Sequence, residues 1–254
     1  MKNIFITGAR SGIIASVIDR IKNNYNLYLG VHTDKECEVL KEKYKDYDNI
    51  FPIKFDISSD VENIDNYKID ILVLNAAAIY GGSLIDMPFD NIRDNMEINY
   101  FSNLRIIKKV INSNEKVKII VISSLASKMP LPFLGAYASS KAALTSMIRS
   151  LGFEVKMISN KVTLCVIEPG LYKTGFNKYG FDSKYDFMDN NSFFKYHIDL
   201  IRKSENIFLN LFEKRKYDSI CKKIAKAIIS ENPKFYYRSP FSQVLFVKLY
   251  NFFA

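Results

Sequence analysis

Tyr137 and Lys141 stand four residues apart in GAYASSKAAL, a spacing that puts both side chains on one face of a helix. Of the 16 tyrosines in the chain, Tyr137 alone has a lysine at that offset. Ser124 lies thirteen residues before it, at the end of an apolar run that reads as a strand, and Asn99 sits midway along an expected helix over 89–113. A phenol is too weak an acid to protonate a carbonyl oxygen near neutral pH unless a neighbouring ammonium lowers its pKa. A Tyr, a Lys and a Ser converging at one sheet edge therefore suit proton transfer to or from such an oxygen. Chance explains any one of these residues easily, but it explains the ordered set Asn99, Ser124, Tyr137 and Lys141 poorly.

A second group of residues suits a nucleotide. FITGARSGIIAS (5–16) runs from a strand through the turn Thr7-Gly8-Ala9-Arg10-Ser11-Gly12, with Ile13 following, into a helix N-terminus. Free backbone N–H groups and the helix dipole favour a pyrophosphate there. After the second strand stands His32, where an NAD-selective site usually carries a carboxylate for the ribose hydroxyls. Without that acid a 2′-phosphate meets no repulsion, and Arg10 offers attraction, so NADP(H) is expected over NAD(H); an arginine that merely faces water is the plain alternative. Asp56-Ile57, after the third strand, could bond an adenine amino group, or Asp56 could simply cap the next turn. Asn75-Ala76-Ala77-Ala78, after the fourth, is small enough to let a cofactor approach the backbone, or merely to ease helix packing.

The elements that must position these residues alternate in type. Runs rich in β-branched and aromatic residues at 2–7, 26–32, 49–55, 70–75, 117–123 and 161–168 read as strands, and 12–24, 35–46, 89–113 and 136–158 as helices. This alternation implies a doubly wound α/β fold of Rossmann type, with a mainly parallel sheet and helices on both faces. Ligands then bind beyond the carboxyl ends of the strands, where the candidate residues fall. No repeat or Pro/Gly-rich linker interrupts the pattern, so a single domain over 1–254 is expected.

Composition narrows the functional classes. With 48% hydrophobic and 25% charged residues the chain is globular in composition, and no apolar run reaches the roughly 18–20 residues that span a bilayer. MKNIFITG enters a strand directly with no signal-like region, so a soluble, cytoplasmic protein is expected. Three scattered cysteines, Cys37, Cys165 and Cys221, suggest neither a disulfide framework nor a metal site. The net charge of +9 comes from lysines spread along the chain, which reads as compositional bias and not as a nucleic-acid interface.

Taken in order, these motifs resemble the short-chain dehydrogenase/reductase family from residue 2 to about 174. TGARSGI matches the family's TGxxxGIG, LNAA (74–77) its NNAG, YASSK (137–141) its Tyr-to-Lys segment and PGLYKT (169–174) its PGxxxT, with Asp56, Asn99 and Ser124 at the corresponding places. The resemblance implies reversible hydride transfer between NAD(P)H and a carbonyl or secondary alcohol. It further implies Tyr137 as acid/base and Lys141 as a ribose ligand that lowers the Tyr pKa. Ser124 would orient the carbonyl, Asn99 would hold a water in a proton relay, and Pro169, Gly170 and Thr174 would lie near the nicotinamide. It also implies a homodimer or homotetramer.

Two positions depart from the family pattern. Ile14 replaces the third glycine of the turn and Ala77 the last glycine of NNAG, so a non-catalytic NADP-binding sensor or scaffold is the alternative class. Retention of the whole Asn, Ser, Tyr and Lys set favours a working enzyme with an adjusted turn. Residues 175–215 carry many Phe and Tyr where the family places a lid, which points to an apolar or ring-shaped substrate over a sugar or nucleotide sugar; aromatic core packing is the alternative. The tail, 232–254, is read as a pocket cover or subunit contact, and membrane contact is not expected.

Overall fold

The computed structural model describes residues 1–10, 12–158, 161–186, 188 and 192–253. The first half runs β1 (Lys2–Thr7), α1 (Gly12–Ile21), β2 (Tyr25–Val31), α2 (Asp34–Lys43), β3 (Ile50–Lys54), β4 (Ile71–Leu74), α3 (Phe89–Met96) and α4 (Ser102–Ser113). It continues with β5 (Val117–Ile122), α5 (Gly135–Ile158), β6 (Val162–Pro169), α6 (Phe176–Asp182), α7 (Ile198–Phe212), α8 (Asp218–Ile229), β7 (Tyr236–Ser239) and α9 (Phe241–Phe253). The strands form one sheet in the order β3-β2-β1-β4-β5-β6-β7, every pair parallel. The order reverses between β1 and β4, and beyond the carboxyl ends of the strands there a parallel α/β sheet opens its binding crevice.

Burial on both faces explains the apolar runs. Alternate residues of β1 point to opposite sides: Ile4 and Ile6 join a cluster with Val17, Ile18 and Ile224, while Phe5 joins one with Leu72, Ile106 and Leu144. All six expected strands form. The seventh, Tyr-Tyr-Arg-Ser, is too short and too polar to read as a strand in isolation and is defined by its pairing with β6. The expected helix over 89–113 forms, but Glu97–Phe101 winds as a π-turn between α3 and α4, and Asn99 lies inside it. Such turns open the backbone ladder locally and concentrate at functional sites.

Ile14 is fully buried among the residues that join α1 to the sheet and to α8. It fills the space where a glycine would bring helix and strand together, and its neighbours are shaped around it. Ile14→Gly is therefore expected to destabilise the fold by about 3 kcal/mol, from the cavity and the added backbone freedom, without tightening cofactor binding. Denaturant unfolding paired with a cofactor dissociation constant checks both parts.

Candidate functional site

The carboxyl end of β5 and the first turns of α5 meet beside β4. Ser124, one residue beyond the sheet-edge Ser123, opens a 3₁₀ turn (Leu125–Lys128), and its Oγ accepts the Ala126 N–H at 3.1 Å. Tyr137 and Lys141 lie one helical turn apart on α5, 8% and 2% exposed, with the Lys141 ammonium 5.9 Å from the Tyr137 ring centroid. Burial pushes the Tyr137 phenol up to about 12, opposed by a hydrogen bond with Ser124, and pushes the Lys141 ammonium down to about 7. Both groups are thus driven towards their neutral forms by desolvation, with the Ser124 hydrogen bond pulling the phenol the other way.

Asn99 takes a different place from a residue facing the cavity. Its Oδ1 accepts the Ala78 N–H at 3.0 Å, and its Nδ2 donates to the Ala78 carbonyl and to Ser140 Oγ, each at 2.9 Å. The side chain therefore ties the loop after β4 to the back of α5, which fixes the backbone on which Ala77 and Tyr137 sit.

The glycine turn is held by the same loop. Thr7 Oγ1 accepts the N–H groups of Asn75 and Ala76 at 3.0 and 3.1 Å, and Asn75 Nδ2 donates to the Gly8 carbonyl at 2.7 Å. Gly8 has φ +61°, and a Cβ there would lie 2.8 Å from Ala76 Cα, so both conformation and the close pass of the β4 loop require glycine. Across the crevice Gly12 faces Thr174, whose Cγ2 would lie 3.7 Å from a Cβ at Gly12. Ser11 lies outside the described residues.

One cavity of about 230 Å³ gathers Ile13, Asn75, Ala77, Pro169, Gly170 and Thr174 with Ser124, Tyr137 and Lys141. Thr7, Gly8, Ala76 and Asn99 support it from behind without lining it. Lys141 lines this cavity, and its ammonium donates to the Ile122 carbonyl at 3.2 Å, leaving donor capacity for a ligand. A buried cation with spare donors beside a helix N-terminus fits a nicotinamide ribose and pyrophosphate.

The expected 2′-phosphate site has one further charged neighbour. Position 32 carries no acid, but Glu36, in the first turn of α2, returns a carboxylate to the same place. Its Oε2 accepts the N–H groups of His32 and Thr33 at 3.2 and 3.3 Å as half of a capping box with Thr33. Its Oε1 pairs with Arg10 at 2.7 Å. Burial alone would raise the Glu36 pKa, but Arg10 and the two N–H groups more than offset it and leave it lowered. The imidazole of His32 faces Asp56 at 3.2 Å, and Asp56 Oδ1 caps the following turn by accepting the Ser58 N–H at 2.8 Å. Ile57 is buried in the core. The capping box was readable as Thr33-x-x-Glu36, but no periodicity says that its carboxylate turns towards the turn after β1.

The remainder of the cavity wall is apolar. Phe176 and Phe181 of α6, Phe208 and Phe212 of α7, and Phe246 and Val247 of α9 close it opposite Tyr137. Gly81 passes so close to Gly180 that a Cβ would strike the Gly180 carbonyl oxygen, which seats α6 directly on the loop after β4. Two residues that no motif marked organise this wall. Gln243 donates to the Phe212 carbonyl and accepts the Leu171 N–H, both at 2.7 Å, joining α9, α7 and the loop after β6. Glu168, fully buried, pairs with Lys128 at 3.1 Å and with Arg238, anchoring the turn that follows Ser124.

The fold agrees with the comparisons to known proteins. The short chain dehydrogenase family model matches residues 2–184, and the chain belongs to that oxidoreductase family. An uncharacterised oxidoreductase of Bacillus subtilis is 28% identical over 68% of this chain and 66% of its own length, so the match spans a little under two thirds of that relative. A 3-ketodihydrosphingosine reductase of Bacteroides thetaiotaomicron is 29% identical over 96% of this chain and 90% of its own. A short chain dehydrogenase/reductase from Burkholderia phymatum, solved in complex with NAD, superposes with a TM-score of 0.81 at 16% identity, over 98% of this chain and 92% of its own, a likeness of fold.

Proposed function

We propose that the protein interconverts a ketone and a secondary alcohol by hydride transfer, with an apolar substrate and with NADPH as the preferred cofactor. The observation that carries this reading is the single cavity in which Ser124, Tyr137 and Lys141 face a wall of Phe176, Phe181, Phe208 and Phe212. The bound nicotinamide would supply or accept the hydride. Ser124 Oγ donates to the substrate carbonyl oxygen, Tyr137 Oη delivers the proton to it, and Lys141 Nζ holds the ribose while its charge favours the developing phenolate. The aromatic segments around α6 and α7 act as the lid that excludes water from this step.

The apolar lining weighs against a sugar or nucleotide-sugar substrate, which would leave its hydroxyls unpaired. The relative named for reduction of a 3-keto sphingoid base aligns along nearly the whole chain, and a ketone on an alkyl chain would fill such a wall. Of the two residues that favour a non-catalytic reading, Ile14 is packed in the core away from the crevice, which weighs against it, while Ala77 lines the cavity. NADPH oxidation with a series of ketones of rising alkyl length tests the proposal. Specificity, as kcat/KM, should rise with chain length; absence of turnover on every member, or a preference for polyhydroxylated ketones, overturns it.

The cofactor preference has its own test at Glu36. The preference for NADPH rests on His32 in place of an acid and on Arg10, and it is lessened, not reversed, by the Glu36 carboxylate that pairs with Arg10, whereas an amide there can keep the helix cap. Glu36→Gln is expected to raise the preference for NADPH over NADH by about tenfold, the effect of removing one like charge at a partly exposed site. Dissociation constants for both cofactors at fixed ionic strength measure it, and an unchanged ratio would place the 2′-position elsewhere.

A further inference from the structure

The last quarter of the chain combines two properties that rarely coincide in a globular surface. Thirteen of the twenty-three exposed large apolar side chains among the described residues lie between Phe193 and Phe253. The same stretch, 192–254, holds twelve Lys and Arg against five Asp and Glu, so it carries +7 of the whole chain's +9. The lysines that look scattered along the sequence are thus only partly so.

These properties meet at one place in the fold. In α9 only Gln243 and Val247, four residues apart, are buried, while Leu245, Leu249, Phe252 and Phe253 are exposed. The end of α7 abuts this helix through the Phe212–Phe246 ring pair at 5.7 Å and through Gln243, and leaves Leu211 71% exposed. Directly after α7 come Lys214, Arg215 and Lys216, all exposed, and Lys248 lies on α9; none of the four makes an ion pair among the described residues. Phe246 is 44% exposed and also lines the cavity, so the cavity wall and the outer surface are continuous there.

We propose that this face, α9 with the end of α7 and the Lys214–Lys216 run, docks the protein on an anionic lipid bilayer surface. No described helix is long and apolar enough to cross a membrane. An apolar helix ringed by unpaired cations instead lies in the interfacial plane, its aromatic and aliphatic side chains among the acyl chains and its lysines against the headgroups. A second copy of the chain would bury the apolar residues but would set the same basic run against itself. The charge therefore favours lipid over a face-to-face second copy, against the expectation that membranes are not contacted. Neither the charge nor the exposed apolar area depends on the reaction proposed above. A surface lying on lipid and continuous with an apolar cavity would also let a membrane-dissolved substrate enter without crossing water.

The test is co-sedimentation of the full chain with vesicles of phosphatidylglycerol and, separately, of phosphatidylcholine, with oligomeric state followed by light scattering. Binding to the anionic vesicles is expected, with weak binding to the zwitterionic ones and loss at high salt. The variant Leu245→Ser/Leu249→Ser/Phe252→Ser/Phe253→Ser should bind at least about tenfold less, because four side chains no longer partition. These residues line no part of the cavity, so reduction of a short water-soluble ketone by the variant should match the wild type. If no ketone is turned over, vesicle binding still decides the surface. Absence of binding to anionic vesicles, binding unaltered in the variant, or a wild-type dimer that the variant breaks while neither binds lipid would overturn the proposal.

Discussion

Tyr137→Phe is expected to lower hydride transfer by about a thousandfold, within the range for loss of a positioned general acid, while folding and cofactor affinity stay at wild-type values. The substitution removes one hydroxyl from a residue packed with Ile79, Leu134 and Phe181, and the ring that makes those contacts remains. The hydroxyl's hydrogen bond with Ser124 is lost, but Ser124 Oγ keeps the Ala126 N–H, so the 3₁₀ turn retains its cap. What disappears is the phenol that lines the cavity together with Ser124 and Lys141. Single-turnover reduction at saturating NADPH, beside a thermal melt, separates chemistry from stability. A wild-type rate in the variant would leave the family standing and remove the mechanism.

Much of this site was legible because its parts are local. The i, i+4 offset of Tyr137 and Lys141 is a property of any helix, and the strand before Ser124 announces itself by an apolar run that both faces of a parallel sheet demand. The turn at Gly8 was legible for the same reason. What escaped is what depends on distant partners. Glu36 became visible at the cofactor edge only once α2 was folded against β2, and Gln243 only once α9 was laid across the loop after β6. β7 is four residues whose strand character comes from β6 alone. Asn99 was read as a member of the set, but its bonds to Ala78 and Ser140 come from a π-turn inside a sequence that reads as uninterrupted helix. The charge of the last quarter was present in the sequence from the outset. Its meaning changed when α7 and α9 met and left the apolar residues exposed.

Lys141 carries the second large effect, because two separate quantities depend on it. Its ammonium is almost wholly buried with the Ile122 carbonyl as its hydrogen-bond acceptor, and burial holds its pKa near 7 against an ordinary 10.5. Between those two values the unfolded chain binds a proton on Lys141 that the native protein does not, so the contribution of this group to stability rises with pH across the window and is least favourable below pH 7. Tyr137, raised from 10.0 to about 12, opposes that slope only from about pH 10 upward, at the top of the window. Lys141→Met keeps the length of the side chain without the charge. In the cofactor-free protein it should raise stability by about 2 to 4 kcal/mol near pH 6, with the gain shrinking as pH approaches the ordinary lysine value. The same variant should lose about a thousandfold or more in turnover, because the ribose contact and the charge facing the phenol go together. Denaturant unfolding of wild type and variant across the pH range, with turnover and cofactor affinity measured alongside, checks both halves. A functional cation held in an apolar wall costs the free protein stability and returns it when a ligand satisfies its donors, so NADPH should stabilise the wild type more than it stabilises Lys141→Met. Equal stabilisation of the two by saturating cofactor would show that the lysine serves the fold and not the ribose.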